Sequence, residues 1–252
     1  MNLLASGVNS FYGGYGYGGY GYMFDWTYLL IIAGLVLSLI ASSNVKSTFN
    51  HYAKIRSMSG LTGAAAAERV LHSAGIYDVS IQRISGQLTD HYDPKNDVMR
   101  LSSEVYSGTS IASVSIAAHE SGHAIQDGTS YAFLRFRSAI APVVSLVSVA
   151  SWPLILIGLA IIWAGNQTTG NMIFDLGILF FAAVVLFHTV TLPVELNASK
   201  RAIRQLVDLR IIEPAETAGA KKVLSAAAMT YVAALATAVA NLIRILMIRG
   251  RD

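Results

Sequence analysis

Long runs of predominantly apolar residues dominate the pattern of hydrophobic and polar positions along this chain. A helix needs about 20 such residues to cross a bilayer, and four runs approach or exceed that length: residues 26–43, 140–165, 172–192 and 223–248. The fourth run is rich in alanine, which fits either a transmembrane helix or a helix that lies against the membrane. The pattern predicts a mainly α-helical membrane protein with about four transmembrane helices.

The composition agrees with this expectation, because 54% of the 252 residues are hydrophobic and only 13% are charged. Nine Lys and Arg residues lie within 44–138 and six within 193–222, whereas the connector 166–171 has none. Because positive flanks are retained in the cytoplasm, we expect a multi-pass protein of the cell membrane with both basic stretches on the cytoplasmic side. The anionic headgroups of the lipid bilayer explain the net charge of +3 better than a nucleic-acid partner does.

We expect six regions along the chain, divided where the apolar runs begin and end. They are a flexible Gly/Tyr-rich N-terminal tail (1–25), a first transmembrane helix (26–43), a cytoplasmic region (44–138), two transmembrane helices (139–192), a cytoplasmic helix (193–222) and a fourth transmembrane or membrane-associated helix with the C-terminus (223–252). The tail contains the sequence FYGGYGYGGYGY, which is too low in complexity to bury a core.

The cytoplasmic region contains both helical and extended patterns. Residues 62–74 are rich in helix formers and predict a short helix. Alternating, β-branched residues at 79–84 predict one short strand, and residues 98–101 predict a second that pairs back on it as a β-hairpin. A longer helix follows, capped at its start by Thr109 or Ser110. An extended peptide could add as a strand to the open edge of such a hairpin.

The run His119-Glu120-Ser121-Gly122-His123 lies inside this longer helix. Two imidazoles four residues apart stand on one helical face and can bind a single zinc ion. Glu120 lies between them, close enough to act as a base toward a water at the metal. The chain has no cysteine, so a third protein ligand must be a histidine or an acidic residue.

Glu195 is the residue that we favour as the third ligand. It lies where the third apolar run ends and a helical pattern continues, close to the membrane surface. His188, His91 and Asp93 are the alternatives, and the helix dipole would by itself favour a carboxylate at the start of a helix.

Four sequence motifs in combination resemble those of a known family. They are residues 86–94 (GQLTDHYDP), 101–102 (LS), 118–126 (AHESGHAIQ) and 195–202 (ELNASKRA). In this combination the chain resembles the bacterial neutral zinc metallopeptidases of the YugP type and, more distantly, the HtpX-type and CAAX-processing membrane peptidases. The resemblance covers nearly everything from residue 28 onward.

The resemblance implies an integral membrane zinc peptidase with a cytoplasmic zincin-like (gluzincin) helix and Zn²⁺ as its cofactor. It makes His119 and His123 two of the metal ligands, Glu195 the third ligand and Glu120 the catalytic carboxylate. One position departs from the more distant pattern, because Ser199 stands where an aspartate is expected.

An aspartate at position 199 would orient a ligand imidazole through its second nitrogen. With Ser199 in that place, the task is expected to pass to Asn197, Asp127 or backbone carbonyls.

The reaction expected of such a site is hydrolysis of a peptide bond, with Glu120 carrying a proton from water to the leaving amine. A further group must stabilise the oxyanion. We favour His91 and Arg201 because they lie in the motifs above, and Tyr92 and Tyr106 are alternatives. Since the ligand-bearing segments adjoin apolar runs, we expect a membrane-associated protein or peptide substrate, cleaved near the cytoplasmic surface.

Two other classes of function compete with this one. A non-catalytic membrane scaffold or regulatory subunit would keep the zinc for structure, although such a site has no need of Glu120. A zinc transporter would explain the polar residues Asp175, His188 and Arg244 in apolar runs. The sequence also leaves open a homo-oligomer or a membrane-protein partner.

Overall fold

A computed structural model describes residues 27–250, and the Gly/Tyr-rich tail, which the sequence predicts to be flexible, lies outside this range. The described residues form seven α-helices and three strands, in the order α1 (Tyr28–Tyr52), α2 (Gly63–Ser73), β1 (Ser80–Ile84), β2 (His91–Asp93), β3 (Val98–Ser102), α3 (Ser103–Ser107), α4 (Ile111–Gly128), α5 (Ala132–Trp163), α6 (Gln167–Asp208) and α7 (Thr217–Arg249). A 3₁₀ turn, Pro214–Glu216, leads into α7.

Four of the described helices, α1, α5, α6 and α7, are long and apolar enough to cross a membrane. Large apolar side chains on all four face outward, including Leu35, Leu146, Leu179 and Ile243. Such exposure is costly in water but not in hydrocarbon, which is as apolar as these side chains. The prediction of a mainly α-helical membrane protein is therefore confirmed, and the alanine-rich fourth run belongs to one of these helices.

The helices α5 and α6 pack closely because small residues line their contact. A Cβ atom added at Gly158 would lie 2.6 Å from the backbone nitrogen of Phe174, and one added at Gly177 would lie 2.9 Å from that of Ile155. Only glycine allows backbones to approach this closely, and membrane helices use such contacts where hydrophobic association is weak. The contact holds the start of α5 beside the later part of α6.

The helix α6 continues for 42 residues, well beyond its apolar part. It passes through Pro193, which lacks the backbone donor of an ordinary helical residue. Thr191 lies two residues before it and donates its hydroxyl to the Phe187 carbonyl at 2.7 Å. Because α6 extends to Asp208 and α7 begins at Thr217, residues 193–222 contain the end of one helix and the start of the next, where the sequence predicts one cytoplasmic helix.

The predicted β-hairpin is wrong in its pairing. The strands β1 and β3 are neighbours but run parallel, and the antiparallel partner of β3 is β2, in a sheet of order β1-β3-β2. The strand β2 lies between the two predicted strands, in a segment for which the sequence predicts no strand. The tight turn lies after it, where the Asp93 carboxylate accepts hydrogen bonds from the Lys95 backbone and the Asn96 side chain.

The core of the non-membrane part surrounds α4, of whose 18 residues 14 are buried. Apolar residues on one side of α4 pack against α2, α6 and α7, and those on the other side pack against α1, α2 and the sheet. Because α4 is held on both sides, the side chains that it carries have fixed positions relative to α6 and to the sheet.

Polar side chains within the membrane helices contact neighbouring helices. The Asp175 carboxylate accepts hydrogen bonds from Arg249 at 2.7 and 3.2 Å, which joins α6 to α7. The Arg244 guanidinium lies 4.3 Å from the centre of the Tyr28 ring, which joins α7 to α1. Cation–π contacts of this kind stabilise a charge where water is scarce.

Candidate metal centre

The histidines of the HExxH run lie together on one face of α4. The helix is capped by Ser110, whose hydroxyl accepts a hydrogen bond from the Ser113 backbone at 3.1 Å, as the sequence suggests for this position. The rings of His119 and His123 lie edge to face, with centroids 4.8 Å apart. Both rings face α6, on which Glu195 lies.

Glu195 completes a cluster of three groups that could hold a metal ion. Its Oε2 atom lies 3.3 Å from Nε2 of His119 and 3.5 Å from Nε2 of His123. Four ligands around zinc at 2.0–2.1 Å are separated by about 3.3 Å from one another. The two measured separations therefore fit this ion, and two imidazoles with one carboxylate form the ligand set of a catalytic zinc site that keeps one position open.

Arg137 holds the Glu195 carboxylate in this orientation. Its Nη1 atom donates to Oε1 at 3.0 Å, so that Oε1 is occupied and Oε2 faces the imidazoles. The side chain of Glu195 is 5% exposed and that of Arg137 is 25% exposed. Arg137 lies near the start of α5, so a membrane helix sets the direction of the candidate ligand on α6.

A chain of hydrogen bonds orients His123. The Gln126 amide donates to the Val194 carbonyl at 2.8 Å and to Asn197 Oδ1 at 3.0 Å, which leaves its Oε1 atom facing His123 Nδ1 at 3.0 Å. An amide oxygen can only accept, so the network assigns the proton to Nδ1 and leaves the lone pair of Nε2 for a metal. Arg201 ends the chain by donating to Asn197 Oδ1 at 2.8 Å.

Ser199 itself contacts the second nitrogen of His119, where the sequence predicts that Asn197, Asp127 or a backbone carbonyl orients the imidazole. Its Oγ atom lies 3.2 Å from Nδ1 of His119. Asn197 orients His123 indirectly through Gln126, and Asp127 instead accepts a hydrogen bond from the Tyr92 hydroxyl at 3.2 Å. A hydroxyl can therefore perform the task expected of an aspartate, with a weaker hydrogen bond than a carboxylate makes.

The helices α4 and α6 approach closely at the cluster. A Cβ atom added at Gly122 would lie 2.7 Å from the backbone oxygen of Ala198. This contact lies within the HExxH run, between the two histidines. Glycine at position 122 and alanine at position 198 therefore bring Glu195 within reach of both imidazoles.

Glu120 is buried beside the cluster, with 7% of its surface exposed. Burial raises the pKa of its carboxyl group to about 7. His119 opposes this rise in pKa, the carboxylates of Glu195 and Asp90 add to it, and His91 opposes it. A carboxyl group with a pKa near neutrality can both take up and release a proton, which general acid–base catalysis requires.

The remaining candidates from the sequence lie at different places. His91 on β2 is exposed, with Nδ1 2.9 Å from the Thr89 carbonyl and Nε2 3.4 Å from Arg100. Asp93 pairs with Arg100 at 3.2 Å, and its contacts with Asn96 and Lys95 lower its pKa to about 2. His188 precedes Glu195 by two helical turns, about 10 Å along α6. Among the residues that the structure describes, the metal-binding cluster contains none of these three.

Two residues near the cluster were missed by the sequence analysis. Arg137 is one of the nine basic residues within 44–138, and Tyr231 lies in the alanine-rich fourth run. The Tyr231 hydroxyl on α7 lies within hydrogen-bonding reach of Glu195 and within range of the charge on Glu120. No local motif marks either residue, because each reaches the site from a different membrane helix.

Comparisons with known proteins agree with this geometry. The family described as "Putative neutral zinc metallopeptidase" matches residues 27–250. The chain is 46% identical over 227 residues to the "Putative membrane protease YugP" of Bacillus subtilis (strain 168), an alignment that covers 88% of this chain and 97% of that protein. No solved structure matches the chain. Together with the His-His-Glu cluster, the family supports Zn²⁺ as the cofactor. The chain therefore belongs to this family of neutral zinc metallopeptidases, as its motifs suggest.

Proposed function

We propose that the protein is a zinc-dependent endopeptidase that cleaves membrane-associated proteins near the cytoplasmic surface of the membrane. The observation that carries this proposal is the cluster of His119, His123 and Glu195 with the buried carboxyl group of Glu120 beside it. A purely structural zinc site is closed by a fourth protein ligand and needs no acid or base. Among the described residues the cluster has three ligand groups and not four, and Glu120 beside it can serve as an acid or base. Both features favour a catalytic site.

In this proposal Glu120 performs the proton transfers. Zinc, when bound, supplies a Lewis acid that polarises the scissile carbonyl and makes water more acidic. Glu120 takes the proton from the attacking water and then gives it to the leaving amine. Burial raises the pKa of this carboxyl group, so Glu120 holds the proton more readily than an exposed carboxylate would before it passes the proton to the amine.

The groups around the cluster divide into positioning and donor roles. Arg201 uses its Nε atom to hold Asn197 in the chain that orients His123, so we assign it a positioning role. His91 lies within range of the charge on Glu120, and Tyr231 lies beside Glu195. We assign stabilisation of the oxyanion to His91 and Tyr231, each of which would exchange its present hydrogen bond, to the Thr89 carbonyl and to Glu195 respectively, for one to the oxyanion.

The strand β2 offers a way to hold an extended substrate. Among the described residues it pairs with β3 alone, so its outer edge has free backbone donors and acceptors. It also packs against α4, the helix of the HExxH run. A peptide that adds as an antiparallel or parallel strand to this edge would cross the site with its backbone fixed.

The depth of the site supports a membrane-associated substrate. Glu195 lies level with Arg137 at the start of α5 and with Tyr231 on α7. Most large exposed apolar side chains of α1, α5 and α7 lie on the membrane side of this level. From Tyr231 to Ile248 the helix rises about 26 Å, close to the thickness of a hydrocarbon core. The excess of Lys and Arg on the other side favours a cytoplasmic site.

The proposal is tested by replacing Glu120 in the full-length protein. We expect Glu120→Gln, reconstituted in vesicles, to keep its zinc but to cleave about 100- to 10,000-fold more slowly, the range for loss of a general acid–base. Zinc content is measured by atomic emission, and cleavage by release of a fluorescent fragment. The matched control is Glu68→Gln, an exposed glutamate on α2 that should cleave like the wild type. Unchanged cleavage by Glu120→Gln would rule out the proposed base.

The substrate class needs a separate experiment. One cleavable sequence is presented to the reconstituted wild type in two forms, as a free peptide and joined to a transmembrane helix in the same vesicles. We expect faster cleavage of the tethered form at equal total concentration. Efficient cleavage of the free peptide with none of the tethered form would contradict the substrate class and leave the peptidase assignment intact.

A further inference from the structure

We propose that the cleft between α1 and α7 binds the phosphate headgroup of an anionic phospholipid. The cleft has a volume of about 480 Å³, and its polar lining includes Asn44, Ser47, His51, Lys222 and Ser225. It adjoins a second concave surface on α1, about 510 Å³, which shares Ser47 and His51 and adds Lys46 and Lys54. Together they form one cationic surface, defined by Lys46, Lys54 and Lys222, with His51 lining both of its parts.

The cations of this surface have no acidic partners. Within residues 27–250 every ion pair uses Arg or His as its cation, so none of the three lysines is paired. Neither α1 nor α7 contains an aspartate or a glutamate. Like charges held together without a counterion repel one another, and an anionic ligand relieves that repulsion.

The surface lies at the depth of lipid headgroups. The helices α1 and α7 are antiparallel, with Thr237 beside Gly34 at one level and Gly219 beside Tyr52 at another. The exposed apolar residues of α1 end at Ile40, and Lys46 follows about 9 Å further along the helix. Lys46 therefore lies just beyond the apolar part of α1, on the same side as the metal cluster, and Lys222 lines the same cleft from α7.

The chemistry of the lining favours a phospholipid over a soluble anion. Lysine ammonium groups and the Ser47 and Ser225 hydroxyls donate hydrogen bonds to phosphate oxygens. Met229, which is 44% exposed, lines the membrane end of the cleft and offers apolar contact to an acyl chain. Basic pockets between transmembrane helices are a known way for proteins to bind anionic headgroups.

The test uses the full-length protein in a neutral detergent, with phosphatidylglycerol as the probe and phosphatidylcholine as the uncharged comparison. Bound lipid is counted by native mass spectrometry during titration. We expect wild type to bind phosphatidylglycerol preferentially. The double variant Lys46→Gln/Lys222→Gln should bind it about 30-fold more weakly, because each lysine near a headgroup contributes about 1 kcal/mol. The control Arg69→Gln/Lys95→Gln removes two exposed charges elsewhere and should bind like the wild type.

Two further arms identify the source of the anion. Glycerol 3-phosphate and an acidic poly-glutamate peptide are each added as competitors to the wild type with phosphatidylglycerol bound. Retention of the lipid supports the proposal, whereas its release by the first compound points to a soluble phosphate site and by the second to a protein partner. Equal affinity of wild type and the Lys46→Gln/Lys222→Gln variant, with both proteins giving the same melting temperature, would overturn the proposal.

Discussion

The candidate metal cluster has two halves that differ in what holds them in place. His119 and His123 come from α4, where their spacing along one helix and the surrounding core determine their positions. Glu195 comes from α6, and its carboxylate is directed by Arg137 on α5 and flanked by Tyr231 on α7. The α4 half is thus local in sequence, while the α6 half depends on contacts among three membrane helices.

This difference shows how the membrane part and the non-membrane part cooperate. Helix geometry alone brings the two imidazoles together. The third group reaches them only because α6 continues out of the membrane region to Asp208 and packs against α4. A change in the packing of α5, α6 and α7 should therefore displace the Glu195 carboxylate more than the two imidazoles.

The largest effect is expected where the two halves meet, at Gly122. The change Gly122→Ala places a methyl group 2.7 Å from the Ala198 carbonyl oxygen, so the helices must separate. We expect zinc affinity to fall about 100-fold, since overpacking of this kind costs about 1–3 kcal/mol. Affinity is measured by competition with a chromophoric chelator. Gly128→Ala, whose methyl group would meet only Ile76 at 3.5 Å, is the matched control, and equal losses in both variants would refute this account.

Removing Arg137 tests the α6 half by itself. Arg137→Ala leaves Glu195 without the group that directs Oε2 toward the imidazoles. We expect about a 30-fold loss of zinc affinity, within the range for groups that orient metal ligands. Arg135→Ala, which removes an exposed arginine two residues away, should bind zinc like the wild type. If Arg137→Ala also binds zinc like the wild type, the carboxylate does not need direction from α5.

The α4 half is tested at Gln126, which orients His123. Gln126→Met keeps a similar volume but removes the acceptor for Nδ1 and the donors to Val194 and Asn197. We expect about a 10-fold loss of zinc affinity, together with a lower melting temperature because buried acceptors lose their partners. A smaller loss for Arg137→Ala than for Gln126→Met would reverse the expected order of the two halves.

The smallest effect is expected at Ser199, which contacts His119. Ser199→Ala removes one neutral hydrogen bond, worth about 1 kcal/mol, so zinc affinity should fall about fivefold. Ser199→Asp should raise zinc affinity, because a carboxylate is a stronger acceptor for the imidazole N–H of His119. Both affinities are measured by the same chelator competition, and a gain from alanine or a loss from aspartate would contradict the role given to Ser199.

Much of the fold and of the candidate site could be predicted because the signals are local. Runs of apolar residues predicted the membrane helices, and the 3.6-residue period predicted α4 with its two histidines on one face. The sheet was predicted less well. Short strands have weak patterns, and the choice between β1 and β2 as the antiparallel partner of β3 depends on a turn that only side-chain hydrogen bonds define.

The sequence by itself determined that this is a membrane protein of a zinc metallopeptidase family, because length, hydropathy and motif spacing are properties of single segments. Only the tertiary structure decided that Arg137 and Tyr231 adjoin Glu195 and that Ser199 contacts His119. It also decided that lysines of α1 and α7 share one cleft. These pairings join residues that lie tens of positions to more than a hundred positions apart, and helix packing, which no local pattern records, sets which side chains meet.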